Sequence, residues 1–455
     1  MAAADPQARF GQSVKGLLSE KVSTCTTDVI ALTKQILKGS RSSELLGQAA
    51  RNMVMQEDSI LHSEDSLRKM SIITTHLQYQ QEAIQKNLPL SECSHDLGIH
   101  EDVKDYYGKR LKKKEDLVLN ACVAPAKALP HYVRDVLKDV HEEVESRHYG
   151  CGLVVPECLE NCWILDLGSG SGRDCYMLSK LVGEKGHVTG IDMTDEQIQV
   201  AQKFIDYHTQ KFGFSKPNVD FLQGYIEKLV DVGLKDNSFD IVISNCVVNL
   251  SPDKKAVLKE AHRVLTDGGE MYFSDVYADC ELPETMRKHK LLWGECLGGA
   301  LWWKELFKIA KEVGFSAPRL TTASRIPVNN KELEDIIGDC RFVSATYRLF
   351  KIPSNRPKEK CRVIYNGSIT GCKEKLEFDV NHTFNEGEAV VVDEETAAIL
   401  KSSRFADEFT IQSLGKMAPS SGECPQTKSK DAIVDPFELA EGPEVGGTPS
   451  WAKTC

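Results

Sequence analysis

The sequence predicts an α/β fold built on a doubly wound, Rossmann-like sheet. Two observations carry this prediction: strand-like and helix-like segments alternate from Trp163 to Asp275, and a glycine-rich turn follows the first strand-like run. A helix predicted over Ala256–Leu265 separates the last two of these strands. The five predicted strands are Trp163–Asp166, His187–Ile191, Val219–Leu222, Phe239–Ser244 and Met271–Ser274. Sheets of this kind bind ligands at the carboxyl ends of their strands.

The turn after the first strand places Gly168, Gly170 and Gly172 at alternate positions behind Asp166. Glycine lets the backbone turn sharply and approach a ligand closely. The third glycine comes one residue too early for a dinucleotide-binding fingerprint. The spacing resembles the loop that binds S-adenosylmethionine (SAM) in Rossmann-like methyltransferases. A nucleotide site and a purely structural turn remain as alternatives.

A second acidic residue supports a nucleoside-containing cofactor. Asp192 ends the second predicted strand, about 20 residues beyond the glycines, where a ribose-binding acid belongs. Further motifs follow the third and fourth strands, at Ile226-Glu227 and at Asn245. All of these positions lie at the predicted carboxyl edge of the sheet.

Composition excludes several classes of protein. The chain has 455 residues and a net charge of −11, which gives no sign of a nucleic-acid-binding surface. It contains no apolar run long enough to predict a membrane span, and residues 1–10 lack the apolar core of a signal peptide. We therefore expect a cytosolic protein, in which the 15 cysteines act as thiols, ligands or catalytic groups.

Residues 1–88 form a separate, all-α segment in this prediction. Apolar residues recur at helical spacing over Ser13–Leu37 and Ser42–Leu88, with Gly39 between the two helices. Leu46, Met53, Ile60 and Leu67 lie seven residues apart, as in a coiled coil. The alternatives are a solvated helical hairpin and a coiled coil that binds a partner.

The remaining chain divides into five further regions in our prediction. Residues 89–100 form a linker, and residues 101–280 form the sheet domain. Residues 281–350 form a mainly helical region, and residues 351–414 a small α+β region. Residues 415–455 form a disordered tail, because they are rich in proline and lack periodicity.

Four cysteines occur near the predicted ligand-binding edge. Cys246 directly follows the fourth strand, Cys151 precedes the first strand, Cys296 lies beyond the fifth, and Cys122 lies in a proline-flanked stretch. A cysteine is often just a small buried apolar residue. For Cys246 this alternative and a functional role are about equally supported by the residues alone.

A family resemblance assigns these residues roles. Five segments closely resemble animal arsenite methyltransferases: Tyr149-Gly-Cys-Gly152, Ile164–Asp174, Gly186–Thr194, Ser244–Leu250 and Trp293–Ala300. The resemblance covers residues 101–437 and implies SAM-dependent methylation of arsenite. Cys122, Cys151, Cys246 and Cys296 would then be catalytic, with Cys151, Cys246 and Cys296 as As(III) ligands. A thiol reductant, glutathione or thioredoxin, would be a co-substrate.

The same resemblance implies a set of SAM-binding residues. These are Tyr149, Asp166, Gly168, Gly170, Gly172, Asp192, Met193, Ile226, Glu227 and Asn245. A methyltransferase acting on another small molecule or on a protein remains the alternative.

Residues 1–88 resemble a different family, subunit seven of the lysosome-positioning BORC complex. The segments Gln7–Gly16 and Thr75–Ile84 carry this resemblance. It implies other BORC subunits as partners and a peripheral association with lysosomes. A scaffold role is therefore an alternative function, and we hypothesise that the chain is a read-through fusion of two neighbouring genes.

Overall fold

A computed structural model describes residues 6–36, 90–110, 130–148, 154–328, 330–355, 359–414 and 432–441. The chain forms two compact units, Met1–Ser91 and Glu92–Cys455. In the first unit, helix α1 spans Pro6–Ile36. The second helix predicted there, Ser42–Leu88, lies outside the described residues. None of the described helices is both long and apolar enough to cross a membrane.

The second unit begins with helices and continues into alternating strands and helices. The first elements are α2 (Leu90–Asp105), α3 (His131–Leu137), α4 (Glu142–Ser146), β1 (Trp163–Leu167), α5 (Arg173–Val182), β2 (His187–Asp192), α6 (Asp195–Lys203), α7 (Ile205–Phe212) and β3 (Val219–Gln223). They continue with β4 (Phe239–Asn245), α8 (Lys254–Val264), β5 (Leu265–Ala278), α9 (Glu284–Arg287), α10 (Lys290–Gly294), β6 (Leu301–Trp302), α11 (Trp303–Val313), β7 (Arg319–Arg325), α12 (Lys331–Ile337) and β8 (Phe342–Phe350). The C-terminal elements are β9 (Cys361–Tyr365), β10 (Lys375–Asp379), β11 (His382–Asn385), β12 (Ala389–Val392), α13 (Glu394–Ser402), β13 (Phe409–Ser413) and α14 (Pro436–Glu441).

The central sheet confirms the predicted Rossmann-like fold. Its strand order is β3-β2-β1-β4-β5-β8-β7, with the short β6 paired to β5. Neighbouring strands from β3 to β5 are parallel. Strand β1 lies between β2 and β4, so the strand order reverses at its carboxyl end. A crevice opens at such a point, and this is where open α/β sheets bind ligands.

The sheet is mixed, because β8 runs antiparallel to both β5 and β7. Both strands come from residues 281–350, which were predicted to be mainly helical, so that prediction is wrong for this part of the region. In β8, Val343, Ala345, Tyr347 and Leu349 alternate with other residues and are almost completely buried. An apolar alternation with a period of two is typical of a strand. In this region the helical pattern of the neighbouring segments obscures it.

Helices cover both faces of the central sheet. On one face α5 and α6 pack against apolar residues such as Ile164 and Val188. On the other face α8 and α11 pack against Val242 and Met271. Because both faces are buried, the parallel strands are apolar almost throughout. The site is consequently built from the loops that leave the strands.

Two boundary predictions differ from the structure. Helix α2 runs through most of the predicted linker 89–100 and ends in a π-helical turn at Tyr106–Arg110. Helix α14 lies inside the tail predicted to be disordered, and its Phe437 is buried against the main core. Leu439 and Ala440 pack against the same core, and a composition average over the whole tail does not detect such a short apolar segment.

The C-terminal region combines a three-stranded sheet, ordered β12-β9-β13, with the hairpin β10-β11 and helix α13. A buried arginine of the central sheet also contacts this region. The guanidinium of Arg348 on β8 binds both carboxylate oxygens of Glu270 on β5 and donates to the carbonyl of Phe378 on β10. The hydrogen bond to Phe378 therefore links the C-terminal region to the central sheet.

Candidate functional site

A cavity of about 920 Å³, including the solvent at its mouth, lies at the carboxyl ends of β1, β2 and β4. Most of the predicted SAM-binding residues line it, namely Asp166, Gly168, Gly170, Asp192, Met193, Ile226, Glu227 and Asn245. Tyr149 lies outside the described residues. The structure therefore brings predicted residues that follow four different strands into the lining of one cavity.

The glycine loop has the left-handed backbone that its sequence predicts. Gly168, Gly170 and Gly172 all have positive φ angles, of 73°, 52° and 86°. A Cβ atom on Gly168 would lie 2.4 Å from the Val247 side chain, whereas one on Gly170 would meet nothing within 4 Å. Gly172 is not a lining residue; it allows close packing against the ring of Phe221. The three glycines thus have different roles.

Asp192 fixes this loop. Its carboxylate accepts hydrogen bonds from the backbone N–H groups of Gly170, at 2.9 Å, and of Thr194, at 2.8 Å. Burial raises the pKa of Asp192, and these bonds partly oppose that effect. Part of its hydrogen-bonding capacity therefore holds the protein's own backbone.

Four carboxyl groups line the cavity, and two of them are adjacent and buried. Burial, reinforced by the charge of Asp174, raises the pKa of Asp166 to about 8, and the thiol of Cys175 donates to Asp166 at 3.2 Å. Burial also opposes the ionisation of Asp174. There, however, the charges of Arg173 and His148 and a hydrogen bond from Asn245 outweigh it and lower the pKa. Asp166 is consequently held neutral beside an ionised Asp174.

The fourth acidic group at the cavity is Glu227. Its Oε1 lies 3.0 Å from His100 Nε2 and accepts a hydrogen bond from Ser251 Oγ at 2.6 Å. Burial opposes its ionisation, but these contacts outweigh burial and lower its pKa. Glu227 therefore presents a fixed negative charge at the cavity wall.

Helix α2 forms part of the cavity wall, which the sequence did not predict. His100, Val103 and Tyr107 line the cavity. Lys104 Nζ donates to the hydroxyl of Tyr225 at 2.6 Å, and the Tyr107 hydroxyl donates to the carbonyl of Gly294 at 2.9 Å. Asp174 was also missed, although its position two residues after the last glycine was a signal available in the sequence.

Two of the four predicted cysteines are described, and they lie together. Cys246 lines the cavity and is buried, and the thiol of Cys296 donates to the Cys246 carbonyl at 3.4 Å. Cys246 is disulfide-bonded. Cys122 and Cys151 lie outside the described residues.

Both cysteines have a left-handed backbone, with φ angles of 56° for Cys246 and 62° for Cys296. Residues other than glycine rarely adopt this conformation, which persists where the surroundings determine it and which clusters at functional sites. The strained turns directly follow β4 and α10. They allow the two distant chain segments to meet.

A partly buried lysine, Lys254, accompanies these cysteines. Lys254 Nζ donates to the carbonyl of Ser251 at 2.9 Å and lies 5.3 Å from the centre of the Trp293 ring. Burial lowers its pKa to about 8, although the charges of Asp275 and Cys296 act to raise it. The described residues contain no cluster of three His, Cys, Asp or Glu side chains that could hold a metal ion.

Comparisons with protein families match three regions of the chain. Residues 159–314 match a methyltransferase domain, and residues 358–455 match the C-terminal domain of arsenite methyltransferase. Residues 1–94 match subunit 7 of the BLOC-1-related complex.

Individual relatives agree with these matches. The chain is 62% identical to human arsenite methyltransferase over 346 residues, which cover 76% of this chain and 92% of that protein. It is 88% identical over 88 residues to BLOC-1-related complex subunit 7 of Pongo abelii, covering 19% of this chain and 83% of that subunit. A crystal structure of an arsenic(III) SAM methyltransferase from Chlamydomonas reinhardtii matches with 46% identity and a TM-score of 0.60. That match covers 63% of this chain and 97% of the other.

Proposed function

Because this chain belongs to the arsenite methyltransferase family, with an N-terminal segment that belongs to the BLOC-1-related complex subunit 7 family, we propose that it methylates trivalent arsenic with SAM. One observation carries the proposal. Cys246 lines the same cavity as the glycine loop, and the thiol of Cys296 contacts the Cys246 backbone. A thiophilic substrate would therefore lie next to the cofactor.

The cavity suits SAM in charge and shape. The cofactor carries an ammonium and a sulfonium group, and the ionised Asp174 and Glu227 supply negative charge. The N-terminal end of α5 carries a partial positive charge, which suits its carboxylate. Gly170, with open space where a side chain would lie, lets the backbone approach the cofactor. When bound, SAM supplies a methyl group on a positively charged sulfur.

Thiolates are suitable ligands for the substrate. As(III) is soft, so sulfur competes well against carboxylate and imidazole. Cys151, Cys246 and Cys296 would hold the arsenic by three sulfurs and leave its lone pair free. The side chain of Lys254 interacts electrostatically with Cys296.

The protein's contribution to the reaction is mainly positioning. The arsenic lone pair is already a nucleophile, so no side chain has to remove a proton. Holding the arsenic in line with the methyl group converts a bimolecular step into an effectively unimolecular one. The strained turns at Cys246 and Cys296 would fix that alignment.

The cycle also needs a reductant. Transfer of a methyl cation to the lone pair leaves arsenic pentavalent, and two thiolates return it to the trivalent state by giving up two electrons and forming a disulfide. We assign Cys122 to this exchange. The disulfide at Cys246 supports the need for glutathione or thioredoxin, because a disulfide sulfur cannot bind arsenic until it is reduced.

The direct test incubates the purified chain with labelled SAM, arsenite and a thiol reductant, and measures methylated arsenicals. We expect labelled product only when reductant is present. Titration with arsenite should also change the fluorescence of Trp293, three residues before Cys296. Absence of product and of a fluorescence change would favour a methyltransferase acting on another substrate.

A second function is proposed for the N-terminal segment, namely assembly with other BORC subunits and peripheral association with lysosomes. Helix α1 exposes a series of large apolar side chains, Leu17, Leu18, Val22, Val29 and Ile30. A helix with such a face is stabilised by pairing with another helix. Co-purification of BORC subunits with the full chain, and not with a chain lacking residues 1–89, would support this function. Equal recovery with both chains would contradict it.

A further inference from the structure

Two cysteines outside the cavity face each other across neighbouring strands. The antiparallel pairing of β5 with β8 ends at Ala278 and Phe342, and the ladder continues through a hydrogen bond from the Asp279 N–H to the Arg341 carbonyl at 3.2 Å. The next residues in this register are Cys280 and Cys340. Their sulfur atoms lie 3.3 Å apart.

The backbone around this pair holds the two sulfurs in place. The Arg341 guanidinium donates to Asp279 at 2.7 Å, and the Arg341 N–H donates to the same carboxylate at 3.0 Å. Both thiols are partly exposed to solvent. Neither Cys280 nor Cys340 lines the cavity that contains the glycine loop.

We propose that Cys280 and Cys340 form a second site, which binds monosubstituted trivalent arsenicals. The inference rests on the proposed function only in taking arsenic as the ligand that reaches this protein. Two sulfurs 3.3 Å apart can both bond one atom at the roughly 2.3 Å typical of a metal–thiolate bond. Because strand pairing already fixes both thiols, formation of the second arsenic–sulfur bond loses little additional conformational entropy.

The number of thiols determines the class of arsenical. Arsenite has three exchangeable oxygen ligands, whereas an arsenical with one carbon substituent has two. The species RAs(OH)₂ reacts with two thiols by forming two As–S bonds and breaking two As–O bonds. The two thiol protons leave with the hydroxides as two molecules of water, and arsenic remains trivalent. A methylated product of the proposed reaction belongs to this class.

The surroundings favour this chemistry over a redox switch. Burial and the neighbouring Cys340 raise the pKa of the Cys280 thiol to about 12. Redox-sensing cysteines have low pKa values, because the thiolate is the form that reacts. Condensation with a hydroxyl-bearing arsenical consumes the thiol proton and therefore needs no stable thiolate.

The test uses the full chain, reduced with a phosphine so that no competing thiol is present. Phenylarsine oxide is added as the probe, and native mass spectrometry counts the bound arsenicals. We expect the wild-type chain to bind one equivalent more than either Cys280→Ser or Cys340→Ser. The control variant Cys372→Ser, altered in the C-terminal region, should bind as many as the wild type.

Two further readouts separate this inference from the proposed function. Cys280→Ser should methylate arsenite at the wild-type rate, and Cys246→Ser should keep the equivalent that depends on Cys280. Equal binding by the wild type and by both Cys280→Ser and Cys340→Ser would overturn the inference, whatever the methylation assay shows. Failure of methylation alone, with the extra equivalent present, would overturn only the proposed function.

Discussion

Single carboxyl groups determine how the cavity presents charge. Asp192 ends β2 and holds the glycine loop by its backbone, whereas Asp166 and Asp174 differ in charge although both are buried. The sequence predicted Asp166 and Asp192 from their spacing. It could not predict the protonation of Asp174, because that depends partly on a hydrogen bond from Asn245, which the fold brings to Asp174 from 71 residues away.

We predict that Asp192→Ala weakens SAM binding at least about tenfold, because hydrogen bonds to a charged group contribute about 1.5–3 kcal/mol each. Arsenite affinity should change less than SAM affinity, because the Asp192 carboxylate binds the backbone of Gly170 and Thr194 and not the cysteines. Calorimetric titration with each ligand measures both effects. The control is Asp220→Ala, which removes a carboxylate on β3 that binds His187 and Thr189. Equal SAM affinity in the two variants would refute this role.

A second prediction at this scale concerns pH. The pKa of Asp166 is raised to about 8 in the folded chain from 3.8, so between these values the folded state holds a proton that the unfolded state has lost. The protonated Asp166 carboxyl therefore contributes its full stabilisation below pH 4, and this stabilisation is lost as the pH rises to about 8. The slope cannot exceed about 1.4 kcal/mol per pH unit.

Denaturant unfolding of the ligand-free chain tests this sign. Between pH 5 and 8, the unfolding free energy of the wild type should fall more steeply than that of Asp166→Asn, whose amide does not titrate. Parallel pH profiles for the two proteins would show that Asp166 ionises normally.

The glycine loop and the turn after β4 act together at the scale of the element. A side chain on Gly168 would overlap Val247, which directly follows Cys246, whereas Gly170 faces open space. The loop therefore sets the position of the turn that carries the cysteine. Both glycines have positive φ, so the backbone cost of alanine, about 1–2 kcal/mol, is common to both.

We predict that Gly168→Ala lowers thermal stability more than Gly170→Ala does. Gly168→Ala should also lower SAM affinity. Adding Val247→Ala to Gly168→Ala should restore much of the lost stability, because it removes the overlapping methyl groups. Thermal unfolding and SAM titration of the four proteins provide the comparison. Absence of any recovery in the double variant would show that the overlap is not the cause.

Sequence patterns predicted the elements that alternate regularly and missed those that depend on tertiary contacts. Strands β1 to β4 and the loop residues followed from periodicity and spacing. Strands β7 and β8 were missed beside short helices, and the packing of α2 on the cavity depends on Tyr107 reaching Gly294, 187 residues away. The pairing of Cys280 with Cys340 similarly depends on strand register.

The whole molecule combines two families in two compact units, with the boundary near residue 91. The second unit contains hydrophobic cores of its own, and such a unit generally folds independently. The described cavity is built entirely from residues 100 to 251, all within the second unit.

We therefore predict that a chain lacking residues 1–89 keeps its kcat and KM for arsenite within about twofold. Steady-state assays of the two chains, matched for SAM binding, measure this. A large loss of kcat in the shorter chain would mean that the first unit contributes to catalysis.

The central claim is that thiols from distant segments hold As(III) beside the glycine loop, and arsenic X-ray absorption tests it most directly. The sample is the reduced chain with Cys280→Ser and Cys340→Ser, loaded with one equivalent of arsenite. We predict three sulfur neighbours, falling to two when either Cys246→Ser or Cys296→Ser is added, while SAM still binds. An unchanged sulfur count in both variants would contradict the account.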